Sequence, residues 1–503
     1  MSYMKKNRLL QSERIAALFV VFPLVFGIIF PGRAVMAAEP ATFEELQEEA
    51  EARKALPIQS NEIDNWPVGP QVSAQAAILM DANTGVILYS KNIHERLYPA
   101  STTKIMTTLL AMENGNLDDM VEFSHDAVFS VPADGSKMGM DEGESLSLED
   151  CLYGIMVASA NEAANAAGEY VSGSIENFVA LMNERAQEIG CTDTHFTNTN
   201  GLHDPEHYTS VYDLALISSL FFRNEMLCKI SNTPRYHFEA TATQPDDFYV
   251  NNKHRLINGE IPYEGILGGK TGYTDSSRQT LVTCAEQNGM RLVCIVFKEE
   301  KPDQFTDTVE LFDYGFHNFQ VLNISENEEK YNIESTGFLQ IGNDVFGSSK
   351  PILSIDTESY VIIPNTVSFQ DLDSEIDYSQ SDENRVAGIE YFYNDMYVGN
   401  AYLNLVTDNA SSYEFDTKMT STDVSVEKIE NKSETEVETK DTIFINIKKV
   451  LVIILVAAAI VITIFMIQAL ITNGRTAKRR NNRIKRKQRR RSRMRSDFDD
   501  FDF

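Results

Sequence analysis

The sequence predicts an α/β protein in which an antiparallel sheet flanked by helices, with a helical insertion, precedes a small all-β domain and a C-terminal transmembrane helix. Three observations predict it. Strand-like runs lie at both ends of residues 75–317 and helical periodicity fills the middle, so distant parts of the chain complete one sheet in one domain. From 318 to 407 short apolar runs alternate with turn residues, as in Ser359–Ile363 and Gly388–Tyr393. Val450 to Ile471 is apolar and uncharged, and at ~1.5 Å per residue it is long enough for a ~30 Å hydrocarbon core.

In chain order, Lys5, Lys6, Arg8 and Arg14 precede the apolar run Ile15–Phe30 and the small residues around Ala37-Ala38. Residues 1–38 therefore read as a secretory signal peptide, with an uncleaved anchor as the alternative. Residues 39–74 form an acidic leader, expected to be exposed, with a helical stretch from Phe43 to Lys54. Ala76–Asp81 and Gly85–Ser90 read as the strands of a hairpin. Apolar periodicity predicts helices over 104–112, 148–170, 175–189 and 210–222. Strands return at 265–271, 279–286 and 290–297, the last two joined by Asn288-Gly289, and a helix over 303–314 closes the domain. Residues 408–446, rich in Ser, Thr, Glu and Lys, read as a flexible stalk. The expected span is 447–472, and the tail 473–503 is basic from Arg475 to Arg495. By the positive-inside rule that tail is cytoplasmic and the chain before the span lies outside the cell membrane.

The net charge of −30 includes the basic tail, so the exported part is more acidic still and a poor match for DNA, RNA or anionic polymers. Stop-transfer function and contact with anionic lipids account for the tail, and no nucleic acid is expected as a partner. The five cysteines are an odd number without ligand spacing and read as buried small residues. Cys284 and Cys294 flank the Asn288-Gly289 turn and leave a disulfide open, although free thiols are the favoured reading.

Three motifs carry the chemistry. In Ser101-Thr102-Thr103-Lys104 the serine and lysine stand three apart, on one face of a helix that Pro99 helps to start. A serine hydroxyl is a weak nucleophile and needs a base within hydrogen-bond reach, while free N–H groups at a helix N-terminus suit a developing oxyanion. Ser159-Ala160-Asn161, among small apolar residues, offers a hydroxyl for proton relay and an amide to grip a substrate peptide. Lys270-Thr271-Gly272 ends a strand-like run, where the lysine and threonine suit a carboxylate and the glycine admits a backbone beside the strand. Each motif alone is commonplace: a capping serine, a capped helix or an ordinary strand end. Their order and wide separation raise the joint signal.

With Asp81-Ala82-Asn83-Thr84-Gly85, Tyr98-Pro99-Ala100 before Ser101, Asn200-Gly201-Leu202-His203-Asp204-Pro205 and Gly268-Gly269-Lys270-Thr271-Gly272-Tyr273-Thr274, the sequence resembles the serine-type D-Ala-D-Ala carboxypeptidases, the low-molecular-mass penicillin-binding proteins. The resemblance spans about 75–317 and, more weakly, the β-rich part. It implies a penicillin-binding/serine β-lactamase-like fold and removal of the terminal D-alanine from peptidoglycan stem peptides ending in D-Ala-D-Ala. It also implies acylation by β-lactams. Carried over by motif, Ser101 is the nucleophile, Lys104 its base and Ser159 the proton shuttle. Asn161 orients the peptide, Lys270, Thr271 and Gly272 receive the carboxylate end, and the N–H groups of Ser101 and Tyr273 form the oxyanion site.

No metal or organic cofactor is implied. His203 and His207 stand four apart, but Gly, Asp and Pro neighbours indicate a loop instead of a helix presenting two ligands. Two positions depart from the family pattern: Gln304 stands where an arginine is usual, and Arg278 where a glycine is common. Arg278 either replaces the missing charge or is a surface arginine on a turn. Alternatives to the carboxypeptidase are a class A-like β-lactamase, for which no deacylating glutamate loop is found, and a non-catalytic wall-associated scaffold, against which the intact motifs argue.

Overall fold

The acidic leader begins as expected and then departs from expectation. In the computed structural model, which describes residues 42–331, 353–381 and 385–405, helix α1 (Phe43–Lys54) opens on a capping box in which Thr42 and Glu45 satisfy each other's amides. The chain after it is exposed only in part. Ile58, Trp66, Val72 and Ala74 are buried, and Trp66 Nε1 donates to Leu88 O at 2.9 Å. Isolated apolar residues among Pro and Gly carry no periodic signal, so their burial was not legible beforehand.

β1 (Ala76–Asp81) and β2 (Ile87–Lys91) form the expected hairpin. The insertion follows, with α2 (Lys104–Asn114), β3 (Met120–Glu122), α3 (His125–Phe129), β4 (Ser145–Ser147), α4 (Leu148–Tyr153), α5 (Asn161–Ser172), α6 (Ile175–Ile189), α7 (Val211–Phe222), α8 (Glu225–Ser231), β5 (Arg235–Phe238) and β6 (Phe248–Asn251). The single helix expected over 148–170 is thus two. A π-turn over Gly154–Ala158 ends in Ser159, which takes a left-handed φ of +62° and turns the chain out of the helix. The apolar period runs straight through this break, because a π-turn shifts phase without changing residue type.

β7 (Ile266–Thr274), β8 (Arg278–Gln287) and β9 (Met290–Glu299) complete an antiparallel sheet ordered β2-β1-β9-β8-β7. β1, near the start of the domain, therefore pairs with β9, near its end, in the register Ile78↔Ile295. Period-two alternation gives the sheet two buried faces. Ile78, Met80, Val282 and Ile295 pack on the helical insertion, whereas Ala77, Leu79, Leu281 and Val296 pack on the leader and on α9 (Asp303–Asn318). The same alternation closes the disulfide option. Thr283, not Cys284, faces Cys294, the two cysteines belong to opposite faces, and all five thiols are free.

β10 (Phe319–Asn323), α10 (Ile324–Asn327), β11 (Leu353–Ile355), β12 (Tyr360–Pro364), β13 (Asp373–Asp377), β14 (Arg385–Tyr393) and β15 (Met396–Leu405) build the expected β-rich part. Its antiparallel strands run β10-β12-β15-β14-β13, with β11 paired to β15. Tyr360 OH reaches Asp81 Oδ1 at 3.2 Å and joins this sheet to the β1–β2 turn. The signal peptide, stalk, span and basic tail read from the sequence lie outside the described residues. Among the described residues, no helix is long and apolar enough to cross a membrane.

Candidate active site

Ser101 sits in a 3₁₀ turn, Ala100–Thr103, that runs into α2. Ala100, just before it, holds a left-handed φ of +50°, a conformation costing a non-glycine residue ~1 kcal/mol or more. Three contacts hold it there. Thr103 Oγ1 donates to Ala100 O at 2.8 Å, buried His207 lies 2.8 Å from the same hydroxyl through Nε2, and Gly201 packs against the Ala100 carbonyl. Since the Thr103 hydroxyl donates to Ala100 O and the Thr197 amide donates to His207 Nδ1 at 3.0 Å, the imidazole carries its proton on Nε2. Burial pushes its pKa down to about 3, so it remains neutral. His207 therefore supports the loop, and His203 stacks edge-on against Tyr98.

Lys104 is fully buried one turn beyond Ser101. Its Nζ lies 3.0 Å from Ser101 Oγ and 2.6 Å from both Asn161 Oδ1 and Asn200 O. Asn200 O is an obligate acceptor and Asn161 Oδ1 another, which matches the two N–H bonds of a neutral amine and leaves its lone pair for the Ser101 hydroxyl proton. Burial first, and then the charge of Lys270, lower the Lys104 pKa well below its usual value. A general base needs that protonation state.

Lys270, on β7, donates from Nζ to Ser159 Oγ at 3.0 Å and to Thr271 O at 2.8 Å. Burial, then the nearby Lys253, push its pKa down to about 7. Gly272 faces the turn of Ser101: a Cβ there would lie 2.9 Å from Ser101 N and 2.3 Å from Thr280 Oγ1, which itself donates to Pro99 O at 2.9 Å. A side chain at this position would push β7 away from Ser101, so glycine lets the strand approach it. Thr271 and Tyr273 follow along the cleft wall. Glu162, next to Asn161, accepts from the amides of Met138 and Gly139 and ties down the loop whose Pro132, Asp134, Gly135 and Ser136 line the cleft.

The fold thus brings Ser101, Ser159, Asn161, Thr271, Gly272 and Tyr273 to one cleft of about 1420 Å³, with Lys104 and Lys270 buried behind it. Asn200 and Gly201 stand in the sequence only as context for the motifs, and His207 only as a metal-ligand candidate that its loop setting disfavours. Asn200-Gly201 and His207 were the available signal, but their contacts with Lys104, Ala100 and Thr103 require the tertiary structure. Lys253, another cleft residue, was missed because one exposed lysine carries no pattern. Gln304 also lines the cleft, and its Nε2 donates to Gln279 Oε1 at 3.2 Å. Arg278 does not supply the charge missing there: its guanidinium makes a two-pronged pair with Glu300, at 3.0 and 2.6 Å, beyond the cleft lining. The turn that carries Arg278 directs its side chain to Glu300, just past the end of β9, a direction that residue type alone cannot indicate. Among the described residues, no group of three or more His, Cys, Asp or Glu is placed to hold a metal ion.

Residues 63–301 match the Peptidase S11 family, described as D-alanyl-D-alanine carboxypeptidase. The D-alanyl-D-alanine carboxypeptidase DacA of Haemophilus influenzae is 32% identical over 282 residues, 55% of this chain and 70% of the relative. The chain belongs to the D-alanyl-D-alanine carboxypeptidase family. A second relative, DacF of Bacillus subtilis, is 35% identical over 253 residues, which cover 49% of this chain and 63% of that protein's length. Among solved structures, penicillin binding protein 5 from Haemophilus influenzae is similar with a TM-score of 0.54 and 26% identity, covering 67% of this chain and 98% of its own. The carboxypeptidase family match begins after α1, so that helix lies outside the matched residues.

Proposed function

We propose that the protein is a serine D-Ala-D-Ala carboxypeptidase that trims the terminal D-alanine from peptidoglycan stem peptides and is acylated by penicillin. The observation that carries this reading is Lys104 Nζ, buried and 3.0 Å from Ser101 Oγ, with its other contacts suited to a neutral amine. Ser101 attacks the penultimate D-alanine carbonyl while Lys104 takes its proton, and the Ser101 and Tyr273 amides receive the oxyanion. Asn161 aligns the peptide. Ser159, bonded to Lys270, passes a proton to the departing D-alanine nitrogen. Lys270, Thr271 and Gly272 form the carboxylate end, and Lys253 in the same cleft adds positive charge where the family arginine is replaced by Gln304. Water then releases the acyl group from Ser101. The signal-like N-terminus, apolar segment 447–472 and basic tail support an enzyme held in the cell membrane by a single span, with the cleft outside and the tail against anionic lipids on the cytoplasmic side.

The direct test is D-alanine release from a peptide ending in D-Ala-D-Ala by the full-length chain, beside Ser101→Ala. Release and a persistent fluorescent-penicillin adduct are expected from the parent and neither from the variant. Rapid turnover of penicillin would instead favour a β-lactamase, and no labelling at all a scaffold.

The two lysines also set a pH dependence. The base must be unprotonated and the carboxylate anchor protonated. Lys104 gives up its proton first, so kcat/KM rises as it deprotonates and falls as Lys270 loses its own proton, near pH 7. A bell-shaped profile of D-alanine release is expected, its limbs belonging to the coupled pair. Activity that keeps climbing above about pH 9 would contradict these assignments.

A further inference from the structure

A chain of charged side chains runs from the leader to the cleft wall, and the chemistry above makes no use of it. Arg53 on α1 is buried, its Nε donates to Ser73 O at 3.0 Å, and its Nη2 lies 3.6 Å from Glu300 Oε1. Glu300 takes both prongs of Arg278. From Nη1, Arg278 donates to Tyr273 OH at 3.3 Å, and its guanidinium stands 5.7 Å from the centre of that ring. Tyr273 OH donates onward to Asp275 Oδ1 at 3.0 Å. Tyr273 has half its surface exposed and lines the cleft beside Gly272.

Arg278 has a left-handed φ of +53°, which glycine adopts freely and arginine does not. The strain persists because the guanidinium is held at three points, an arrangement that a plain surface turn does not need. The turn is fastened independently by Ser277, whose Oγ accepts from Thr274 N at 2.9 Å. Closing the turn is therefore not what requires an arginine.

We propose that Arg278 is a positioning residue: with Glu300, and with Arg53 of the leader helix behind it, it fixes the Tyr273 side chain over the cleft and so tunes acylation of Ser101. The inference rests on Ser101 being the acylated residue. A purely structural ion pair would fasten the leader and affect stability alone.

Arg278→Gly separates these roles, because glycine fits the backbone there and removes only the side chain. The second-order rate of acylation by a fluorescent penicillin is expected to fall roughly 2- to 30-fold, the range for coupling through packed side chains, with the melting temperature somewhat lowered because relief of the left-handed strain offsets only part of the lost pair with Glu300. Glu300→Gln should act in the same direction, and Arg53→Met more weakly. In a Tyr273→Phe background, where the hydroxyl contact is already gone, the effect of Arg278→Gly should shrink. Parental acylation by Arg278→Gly would overturn the proposal, as would an equal loss in the Tyr273→Phe background. A crystal structure of the full-length Arg278→Gly variant tests it without reference to activity: displacement of the Tyr273 phenol supports it, and a phenol in the parental place overturns it. If the parent is not acylated at all, the functional reading fails, and this structural comparison still decides whether Arg278 holds Tyr273.

Discussion

Replacing Lys104 with methionine is expected to slow acylation of Ser101 by penicillin by roughly 10²- to 10⁴-fold, the range for losing a positioned general base. Methionine is nearly the length of the lysine stem and apolar, so the buried volume is kept. Two acceptors, Asn161 Oδ1 and Asn200 O, would lose their donor, at about 1–3 kcal/mol each if left dry. Removing an amine that burial already disfavours offsets part of that. The variant should therefore remain folded, with a melting point somewhat below the parent's, and be nearly inert to penicillin. Stopped-flow labelling and thermal melts of the same preparation check both halves. If Lys104→Met is acylated within about tenfold of the parent, another group is the base. The acid limb of the pH profile should vanish with this lysine as well.

Gly201→Ala is expected to damage both stability and acylation, although Gly201 is no part of the chemistry. Its φ is +85°, and an added Cβ would stand 1.8 Å from Ala100 O and 2.3 Å from Ala100 C. Backbone atoms cannot swing aside as side chains do, so the peptide preceding Ser101 must move. Overpacking of about 1–3 kcal/mol, with about 1 kcal/mol for a left-handed non-glycine residue, gives roughly 2–4 kcal/mol in all. For a domain of this size that corresponds to a melting temperature lower by about 5–15 °C. Gly139→Ala is the control, since Gly139 has a φ of +97° and nothing within 4 Å of its added Cβ. It should show the backbone cost alone. Equal melting points and equal penicillin labelling of the two variants would mean that Gly201 does not hold the turn of Ala100.

The chemistry was more legible in the sequence than the supports around it. Ser101 and Lys104 are three apart, and Lys270, Thr271 and Gly272 are consecutive, so local geometry already placed each set together. Strand and helix periods located β1, β2, α2, α6, α7 and β7–β9 because each buries a regular face. Where the period continued through a change of backbone, as at the π-turn before Ser159, the reading ran two helices into one. Where apolar residues had no period, as at Trp66 and Val72, burial was missed. Arg278 was read from its type and its neighbours in sequence. Its partner, Glu300, lies across the β8–β9 hairpin, and such a pairing depends on register and side-chain direction.

By itself the sequence determined which hydroxyl, amine and amide side chains stand together in the three motifs, the order in which they occur, and the alternation that makes one sheet with helices on its face. Those properties are local, since spacing and periodicity act over a few residues. Only the tertiary structure decided that Lys104 is buried among acceptors that suit a neutral amine, that Lys270 meets Ser159, and that Gly201 and His207 hold the strained turn of Ala100. It also turned Arg278 toward Glu300 and away from the cleft. Each of these depends on residues up to 111 positions apart in the chain being brought within hydrogen-bond distance. Desolvation and hydrogen bonding then set the charge and direction of every group, and neither exists until the chain has folded.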